Sequence, residues 1–349
     1  MGGDGPIRAV GLFSGGLDST LAVRVMLEQG LAVTALHFRT GFSYIERARL
    51  TGREISESQA DVERAAAQLG VPLEVIDVSD GFLRVVLDPQ YGYGSGMNPC
   101  IDCRIFLLRQ AKAWMEAHDH HFVFTGEVVG QRPKSQMRPT LTLVERESGL
   151  GGLLVRPLSA KLLAPTLPEI RGWVDRDRLY GIGGRGRREQ IALAERFGIQ
   201  DYPQPSGGCC YLIDQTYSRR LRDFLDHEGA DALTSERAQH LAVGRHVRLP
   251  SGRKVIVGRH AGENAYLEAR PEVGILLTTL DCPGPVTLVP GQPSDEELAL
   301  AAQITASYSD EGQSDAVRVS FHRTDASPQS ARVITVAPVA REQLHLWMV

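Results

Sequence analysis

The residues best suited to chemistry in this chain form a short run near its start, Ser14-Gly15-Gly16-Leu17-Asp18-Ser19-Thr20. The two glycines let backbone N–H groups approach an anion closely, and the hydroxyls add further donors. Asp18 would repel an anion unless it faces a metal ion or a reacting group. The run has no Gly-Lys-Ser/Thr and so is not a Walker motif. It predicts a bound phosphate chain, with a glycine-rich turn into a helix as the plainer alternative.

Cysteines form the second candidate centre. Cys100 and Cys103 follow Asn98-Pro99 with Cys-x-x-Cys spacing, and Cys209 and Cys210 come much later in the chain. Such a pair can be half of a zinc site, a redox dithiol or two ligands of a cluster. Three thiolates, from Cys100, Cys103 and either Cys209 or its rival Cys210, would suit a [4Fe–4S] cluster with one open iron. Alternatively, one thiol carries a persulfide and another resolves it as a disulfide. Thiols that only pack in a core are the third alternative.

The elements that must hold these residues alternate along the first half of the chain. Short apolar runs predict buried strands over 9–13, 32–38, 73–78 and 122–124, and helical periodicity lies between them. This alternation predicts an α/β fold with a mostly parallel sheet and helices on both faces. Ligands of such sheets lie beyond the carboxyl ends of the strands, where Ser14, His37 and Thr125-Gly126-Glu127 fall. His37 is a candidate contact of a nucleotide base, with a hydrogen-bonded framework histidine as the alternative.

The amino-acid composition and patterning of the chain change twice after the first half. Residues 171–196 are rich in glycine and arginine and include Arg185, Arg187 and Arg188. This segment is either a solvated loop or a contact for a phosphate backbone. From about residue 230, short strand-like segments and a capping box at Ser294 and Glu297 predict a separate small α+β domain. We therefore expect two domains, 1–230 and 231–349.

Composition bounds the class of protein. The chain has 349 residues, 42% hydrophobic and 23% charged, which is typical of a globular protein with two cores. It lacks a run of about 18 apolar residues and a signal-peptide layout, so we expect a cytoplasmic protein with no membrane partner. Five cysteines then indicate metal or redox chemistry more than disulfides, and Cys282 is expected to be a turn residue without a role. The net charge of −4 permits a local basic face only.

Taken together, these motifs resemble the tRNA 4-thiouridine synthetase family and, more distantly, the tRNA 2-thiouridylase family. Both are ATP pyrophosphatases of the PP-loop type. The resemblance covers about residues 7–225 and is carried by Ser14 to Thr20, Pro99-Cys100-x-x-Cys103, Thr125-Gly126-Glu127-x-x-Gly130-Gln131-x-x-x-Ser135-Gln136 and Arg156-Pro157-Leu158. The chain departs from the synthetases in having neither a THUMP-bearing region ahead of the first strand nor a rhodanese-like domain. Instead, Gly244-Arg245-His246-Val247-Arg248-Leu249 and Val257-Gly258-Arg259-x-x-x-Glu263-Asn264 look like the RNA-binding NFACT-R module.

The resemblance implies an adenine nucleotide α-hydrolase-like fold and an ATP-dependent tRNA sulfurtransferase. In such enzymes a uracil carbonyl oxygen attacks the α-phosphate of ATP, pyrophosphate leaves, and a sulfur nucleophile then displaces AMP. The implied catalytic residues are Asp18, Cys100, Cys103 and Cys209. The implied nucleotide-binding residues are Ser14, Gly15, Gly16, Asp18, Ser19, Thr20, His37, Thr125, Gly126, Glu127 and Gln131, with Ser135 and Gln136 lining the target-base pocket. The implied cofactors are ATP and Mg²⁺, and the implied partners are tRNA and a sulfide or persulfide donor.

Two other functions stay open at this point. One is a PP-loop adenylating ligase or sulfur-insertion enzyme that acts on a small molecule. The other is an RNA-binding protein that uses ATP only as a structural ligand; Asp18 and the paired cysteines weigh against it, because binding needs neither. Between Glu236 and Arg270 there are seven Lys or Arg against three Asp or Glu, which is consistent with a basic RNA-binding face. The resemblance does not transfer the identity of the modified base.

Overall fold

The computed structural model describes residues 5–52, 62–202, 209–269 and 272–349. Contacts divide the chain into two compact units, one from residues 1–45 and 55–213 and the other from 46–54 and 214–349. The domain boundary expected near residue 230 stays a proposal, and the helix Gln215–Glu228 is grouped with the second unit. In the part of the chain that the structure describes, no helix combines the length and apolar character needed to cross a membrane.

The first unit is built on a five-stranded sheet with the order β3-β2-β1-β4-β5. All neighbouring strands are parallel. Thus the fold class predicted from the alternation of strands and helices is confirmed. The strands are β1 (Arg8–Leu12), β2 (Ala32–Arg39), β3 (Leu73–Asp77), β4 (Phe122–Thr125) and β5 (Leu154–Val155).

Helices cover both faces of this sheet because successive residues of a strand point to opposite sides. Ala9 of β1 lies in one apolar core with Leu21, while its neighbour Val10 lies in the other with Leu108. The Cys-x-x-Cys motif opens one of these helices, as predicted. The helices up to residue 196 are α1 (Leu17–Glu28), α2 (Tyr44–Leu50), α3 (Val62–Leu69), α4 (Ser79–Leu87), α5 (Cys100–Ala117), α6 (Arg138–Glu147), α7 (Leu167–Ile170) and α8 (Arg188–Arg196). Of these, α2 is grouped with the second unit from residue 46 onward.

The second unit contains a six-stranded antiparallel sheet with the order β11-β10-β8-β9-β7-β6. Helices pack on both of its faces, so the predicted α+β class is confirmed. The strands are β6 (Arg245–Arg248), β7 (Lys254–Val257), β8 (Gly274–Thr279), β9 (Thr287–Pro290), β10 (Val317–Arg323) and β11 (Arg332–Val336). The helices are α9 (Gln215–Glu228), α10 (Ser235–His240), α11 (Ala261–Ala269), α12 (Asp295–Ser307) and α13 (Arg341–Trp347).

The predicted capping box opens α12. Ser294 Oγ accepts a hydrogen bond from the N–H of Glu297 at 3.2 Å, and Glu297 Oε2 accepts one from the N–H of Ser294 at 2.8 Å. On the other face of the sheet, residues 46–52 complete the packing around α11. Leu50 packs against the core that contains Leu267, and Thr51 is only 2% exposed. A stretch that follows β2 in sequence is therefore part of the second unit.

Candidate functional site

The predicted phosphate loop lies between the carboxyl end of β1 and the start of α1. Gly15 adopts a φ of 71°, which favours glycine, and Gly16 is the N-cap residue of α1. Ser19 Oγ donates to the carbonyl of Gly16 at 2.8 Å and lies 3.2 Å from Ser14 Oγ. The serines thus close the loop, and the first backbone N–H groups of α1 remain for an anion.

Asp18 is the centre of this site. Its Oδ2 accepts a hydrogen bond from Gln131 Nε2 at 2.9 Å and lies 4.0 Å from Arg187 Nη2. Gly126, which follows β4, packs closely against the backbone of Asp18. A Cβ at position 126 would lie only 2.4 Å from the carbonyl oxygen of Asp18. Gly126 and Gln131, both predicted site residues, are therefore brought to Asp18. Thr125 is buried at the end of β4, immediately before this contact.

Buried polar atoms without hydrogen-bond partners gather at the same place. Within the described residues, these atoms include Asp18 Oδ1, Thr20 Oγ1, Gln131 Oε1 and Arg187 Nε. Buried polar atoms are nearly always satisfied, so a ligand is expected to supply the missing partners. A carboxylate and a hydroxyl beside a guanidinium and a helix N-terminus form a set that suits a phosphate chain with a hard divalent cation. ATP with Mg²⁺ therefore fits this site.

Arg187 reaches Asp18 because the glycine-rich segment before it is fixed. Val129 pairs with Gly183 in a parallel bridge, and the N–H of Gly184 donates to the carbonyl of Val129 at 2.7 Å. Arg187 is then 24% exposed at Asp18, whereas Arg185 and Arg188 are exposed. The sequence predicted Arg187 only as part of a solvated loop or of a contact for a phosphate backbone. The only available signal was the density of arginine, which does not identify the residue that turns inward.

His37 and the loop after β4 also lie where they were expected. His37 Nδ1 is 3.0 Å from the carbonyl oxygen of Phe13, so its ring is held beside the end of β1. Gln136 is 4% exposed, and its Oε1 accepts the N–H of Arg132 at 3.1 Å. Ser135 is also buried. In this structure Ser135 and Gln136 shape the loop, and the predicted role of these two residues at the target base stays a proposal.

Glu127 is buried beneath the site. Arg156 Nε donates to Glu127 Oε2 at 3.1 Å, and Arg104 Nε lies 3.3 Å from Glu127 Oε1. Burial acts to raise the pKa of Glu127, but the two arginines outweigh it and hold that pKa below its usual value. Glu127 is therefore ionised at neutral pH and holds Arg104 in place. Glu127 therefore acts on a ligand indirectly, through the guanidinium of Arg104.

The four cysteines of the predicted sulfur chemistry come together, since Cys209 and Cys210 return to the start of α5. Cys210 forms an antiparallel bridge with Ser43, and the N–H of Met97 donates to the carbonyl of Leu212 at 3.0 Å. The thiols are close enough to shift one another's pKa values. Residues 203–208, which precede Cys209, lie outside the described residues.

The environment of each thiol differs. A hydrogen bond from the Cys210 thiol, aided by the guanidinium groups of Arg132 and Arg104, holds the pKa of Cys209 well below its usual value. The same hydrogen bond raises the pKa of Cys210, and burial raises the pKa of Cys103 to about 12. Cys209, which is exposed, therefore ionises at a lower pH than an ordinary cysteine and is the candidate nucleophile.

Cys100 has its own partner. Asn98 Nδ2 donates a hydrogen bond to Cys100 Sγ at 3.0 Å, and Asn98 Oδ1 accepts the N–H of Gly96 at 2.9 Å. This amide orients the thiol at the start of α5. Across the described residues, no three His, Cys, Asp or Glu side chains form a group that could hold a metal ion. The [4Fe–4S] cluster that three of these thiolates would suit stays a proposal.

Comparisons with known proteins agree with this division of the chain. Residues 8–142 match the family described as the tRNA methyl transferase HUP domain, and residues 244–348 match the NFACT protein RNA binding domain. The first part of the chain is thus similar to a HUP domain, and the second part is similar to an NFACT-type RNA-binding domain. The predicted resemblance is confirmed for both parts.

Individual relatives are more distant. The chain is 27% identical over 303 residues to the tRNA-specific 2-thiouridylase MnmA of Symbiobacterium thermophilum, which covers 82% of this chain and 69% of the relative. It is 29% identical over 224 residues to MnmA of Acidithiobacillus ferrooxidans, which covers 62% of this chain and 57% of the relative. The chain therefore spans roughly three fifths to two thirds of these relatives. A solved 4-thiouridine synthetase–RNA complex with bound ATP is 19% identical, with a TM-score of 0.36 over 64% of this chain and 53% of that chain.

Proposed function

We propose that the protein is an ATP-dependent tRNA sulfurtransferase, which adenylates a uridine carbonyl and replaces its oxygen with sulfur. One observation carries this proposal. Gln131 donates to the Asp18 carboxylate, and its neighbour Arg132 donates to the Cys209 thiolate. Two adjacent residues therefore connect a site suited to a nucleotide with a reactive sulfur. The MnmA relatives and the RNA-binding domain support tRNA as the substrate.

The nucleotide step follows from the groups around Asp18. The N-terminus of α1 and the loop from Ser14 to Thr20 hold the phosphates of ATP, and Arg187 balances the charge of the departing pyrophosphate. Asp18 Oδ1 is the atom that would hold Mg²⁺, which supplies neutralisation of phosphate charge when bound. A uracil carbonyl is a poor electrophile until adenylation turns its oxygen into part of a leaving group. The uracil carbonyl oxygen attacks the α-phosphate, and a new P–O bond forms while the P–O bond to pyrophosphate breaks.

The sulfur step uses Cys209 as a persulfide, because it is the exposed thiolate. The terminal persulfide sulfur attacks the activated carbon, and AMP leaves with the C–O electron pair. The Cys100 thiolate then attacks Cys209 Sγ, which breaks the persulfide S–S bond and releases the thiolated base. A Cys100–Cys209 disulfide remains, and an external dithiol reduces it before the next persulfide is loaded. No step of this persulfide route needs a cluster.

A reconstituted reaction tests this function. Purified protein is incubated with Mg²⁺, tRNA, an external dithiol, a persulfide donor and ATP, and AMP and thiolated nucleoside are quantified. We expect one AMP per thiolated uridine, no product with Cys209→Ser, and normal product with the control Cys282→Ser. The proposal fails if ATP is cleaved to AMP and pyrophosphate without tRNA and no base is thiolated. That result would favour the small-molecule ligase.

A further inference from the structure

The loop between β4 and α6 presents an exposed cationic surface beside the thiols. Residues 128–144 contain three cations and no acidic side chain. The exposed side chains Arg132, Lys134, Met137 and Arg138 of this loop are here called the rim. Met137 is 48% exposed, which is high for an apolar side chain next to a reactive site. The rim therefore combines positive charge with an exposed thioether.

Hydrogen bonds hold the rim in one shape. The N–H of Gly130 donates to the carbonyl of Gln136 at 2.7 Å, and the N–H of Gln136 donates to the carbonyl of Arg132 at 3.1 Å. Lys134 has a φ of 70°, a conformation that lysine rarely adopts, and its Nζ donates to the carbonyl of Tyr93. A loop that is already ordered loses less conformational entropy on binding a partner than a flexible loop does.

The rim residues divide into inward and outward groups. Arg132 faces Cys209, and Lys134 connects the loop to Tyr93. Met137 and Arg138 face outward, and within the described residues the guanidinium of Arg138 makes no ion pair. Since Gln131 of the same loop contacts Asp18, the outward pair lies at the edge of the reaction site.

We propose that Met137 and Arg138 form the contact on the first unit for the RNA strand that carries the modified uridine. This inference rests on the proposed function. A uracil must leave its stack to reach buried reactive groups, and unstacked bases are held by apolar side chains while cations hold the phosphates. Met137 packs against the displaced base or its neighbour, and Arg138 contacts a phosphate. The absence of acidic side chains between 128 and 144 favours a polyanion over a protein of mixed charge.

The test compares Arg138→Ala and Met137→Ala with Arg146→Ala. Arg146 lies on the same helix, is 72% exposed, and serves as the matched control. Dissociation constants for tRNA are measured at several salt concentrations, together with ATP affinity and thiolation. We expect Arg138→Ala to weaken tRNA binding by about tenfold and to reduce the salt slope by about 1. Met137→Ala should raise the KM for tRNA, and ATP affinity should be unchanged in all three variants.

Two results would overturn this inference while the proposed function stands. In the first, the wild type binds and thiolates tRNA, but both rim variants behave like Arg146→Ala. In the second, the rim variants bind tRNA normally and lose only sulfur transfer from a persulfide-carrying protein, which would assign the rim to the donor. A wild type that neither binds nor thiolates tRNA would instead overturn the proposed function, and this inference with it.

Discussion

Asp18 connects the phosphate loop with two other segments of the first unit. Its carboxylate in an anion-binding loop already indicated a metal ion or a reacting group. Its partners are Gln131 and Arg187, which are far away along the chain. No local pattern predicts such contacts, because they depend on how the loop after β4 and the start of α8 meet α1.

The first residue-scale prediction concerns Asp18→Asn. The amide keeps the size of the side chain but removes the charge that would hold a divalent cation. ATP–pyrophosphate exchange in the presence of tRNA should fall by about a hundredfold or more. The thermal unfolding midpoint should stay close to that of the wild type, because a ligand-facing loop residue contributes little to the core. An aggregating variant, or one with full exchange, would show that Asp18 has another role.

The second residue-scale prediction concerns pH. The Cys210 thiol donates to Cys209 and keeps its pKa well below the usual thiol value, so wild-type Cys209 ionises at lower pH than an ordinary cysteine. Cys210→Ala removes that donor and raises the pKa of Cys209. Alkylation of Cys209, followed by peptide mass spectrometry, should therefore reach its maximum at a lower pH in the wild type than in the variant. Identical profiles would contradict the assigned hydrogen bond; Cys282→Ser is the control.

At the scale of elements, periodicity predicted most of the first sheet. β1, β2, β3 and β4 appear within a residue or two of the expected ranges, because each is an apolar run bounded by turn signals. β5 was not predicted, since its two residues are too few to form a pattern. β8 was also not predicted, although it lies inside the second sheet. Its sequence, Gly-Ile-Leu-Leu-Thr-Thr, lacks the alternation of apolar and polar residues that would predict a strand.

The junction of β4 with α1 yields a prediction at this scale. A Cβ at position 126 would lie 2.4 Å from the carbonyl oxygen of Asp18 and 2.6 Å from the backbone nitrogen of Ser19. Gly126→Ala should therefore move β4 away from α1 and cost about 1–3 kcal/mol of unfolding free energy. It should also weaken ATP binding. Gly151→Ala is the control, because its Cβ would meet nothing within 4 Å. Denaturant unfolding and nucleotide titration measure both effects, and equal behaviour of the two variants would refute the close contact.

At the scale of the whole molecule, the chain combines two units of different architecture. The sequence indicated both of them, because the alternation of strands and helices stops before the antiparallel part begins. It did not indicate that residues 46–54 belong with the second unit. That grouping depends on packing between segments far apart in sequence, which local patterns do not encode.

Gly262 provides the test of that grouping. A Cβ on Gly262 would lie 1.9 Å from the carbonyl oxygen of Thr51, so alanine must displace the backbone at Thr51. Gly262→Ala should destabilise the second unit and lower tRNA affinity. Gly186→Ala, whose Cβ would meet nothing within 4 Å, is the control for stability. Hydrogen exchange should locate the loss of protection at α2 and α11, and unchanged exchange there would contradict the assignment.

In the proposed reaction, this protein replaces a uridine oxygen of tRNA with sulfur. Its most direct test is mass spectrometry of the nucleosides of total tRNA from a strain that lacks the protein. We expect one thiolated nucleoside to disappear, to return with the wild-type gene or Cys282→Ser, and to stay absent with Asp18→Asn or Cys209→Ser. A nucleoside profile identical to that of the parent strain would contradict the account.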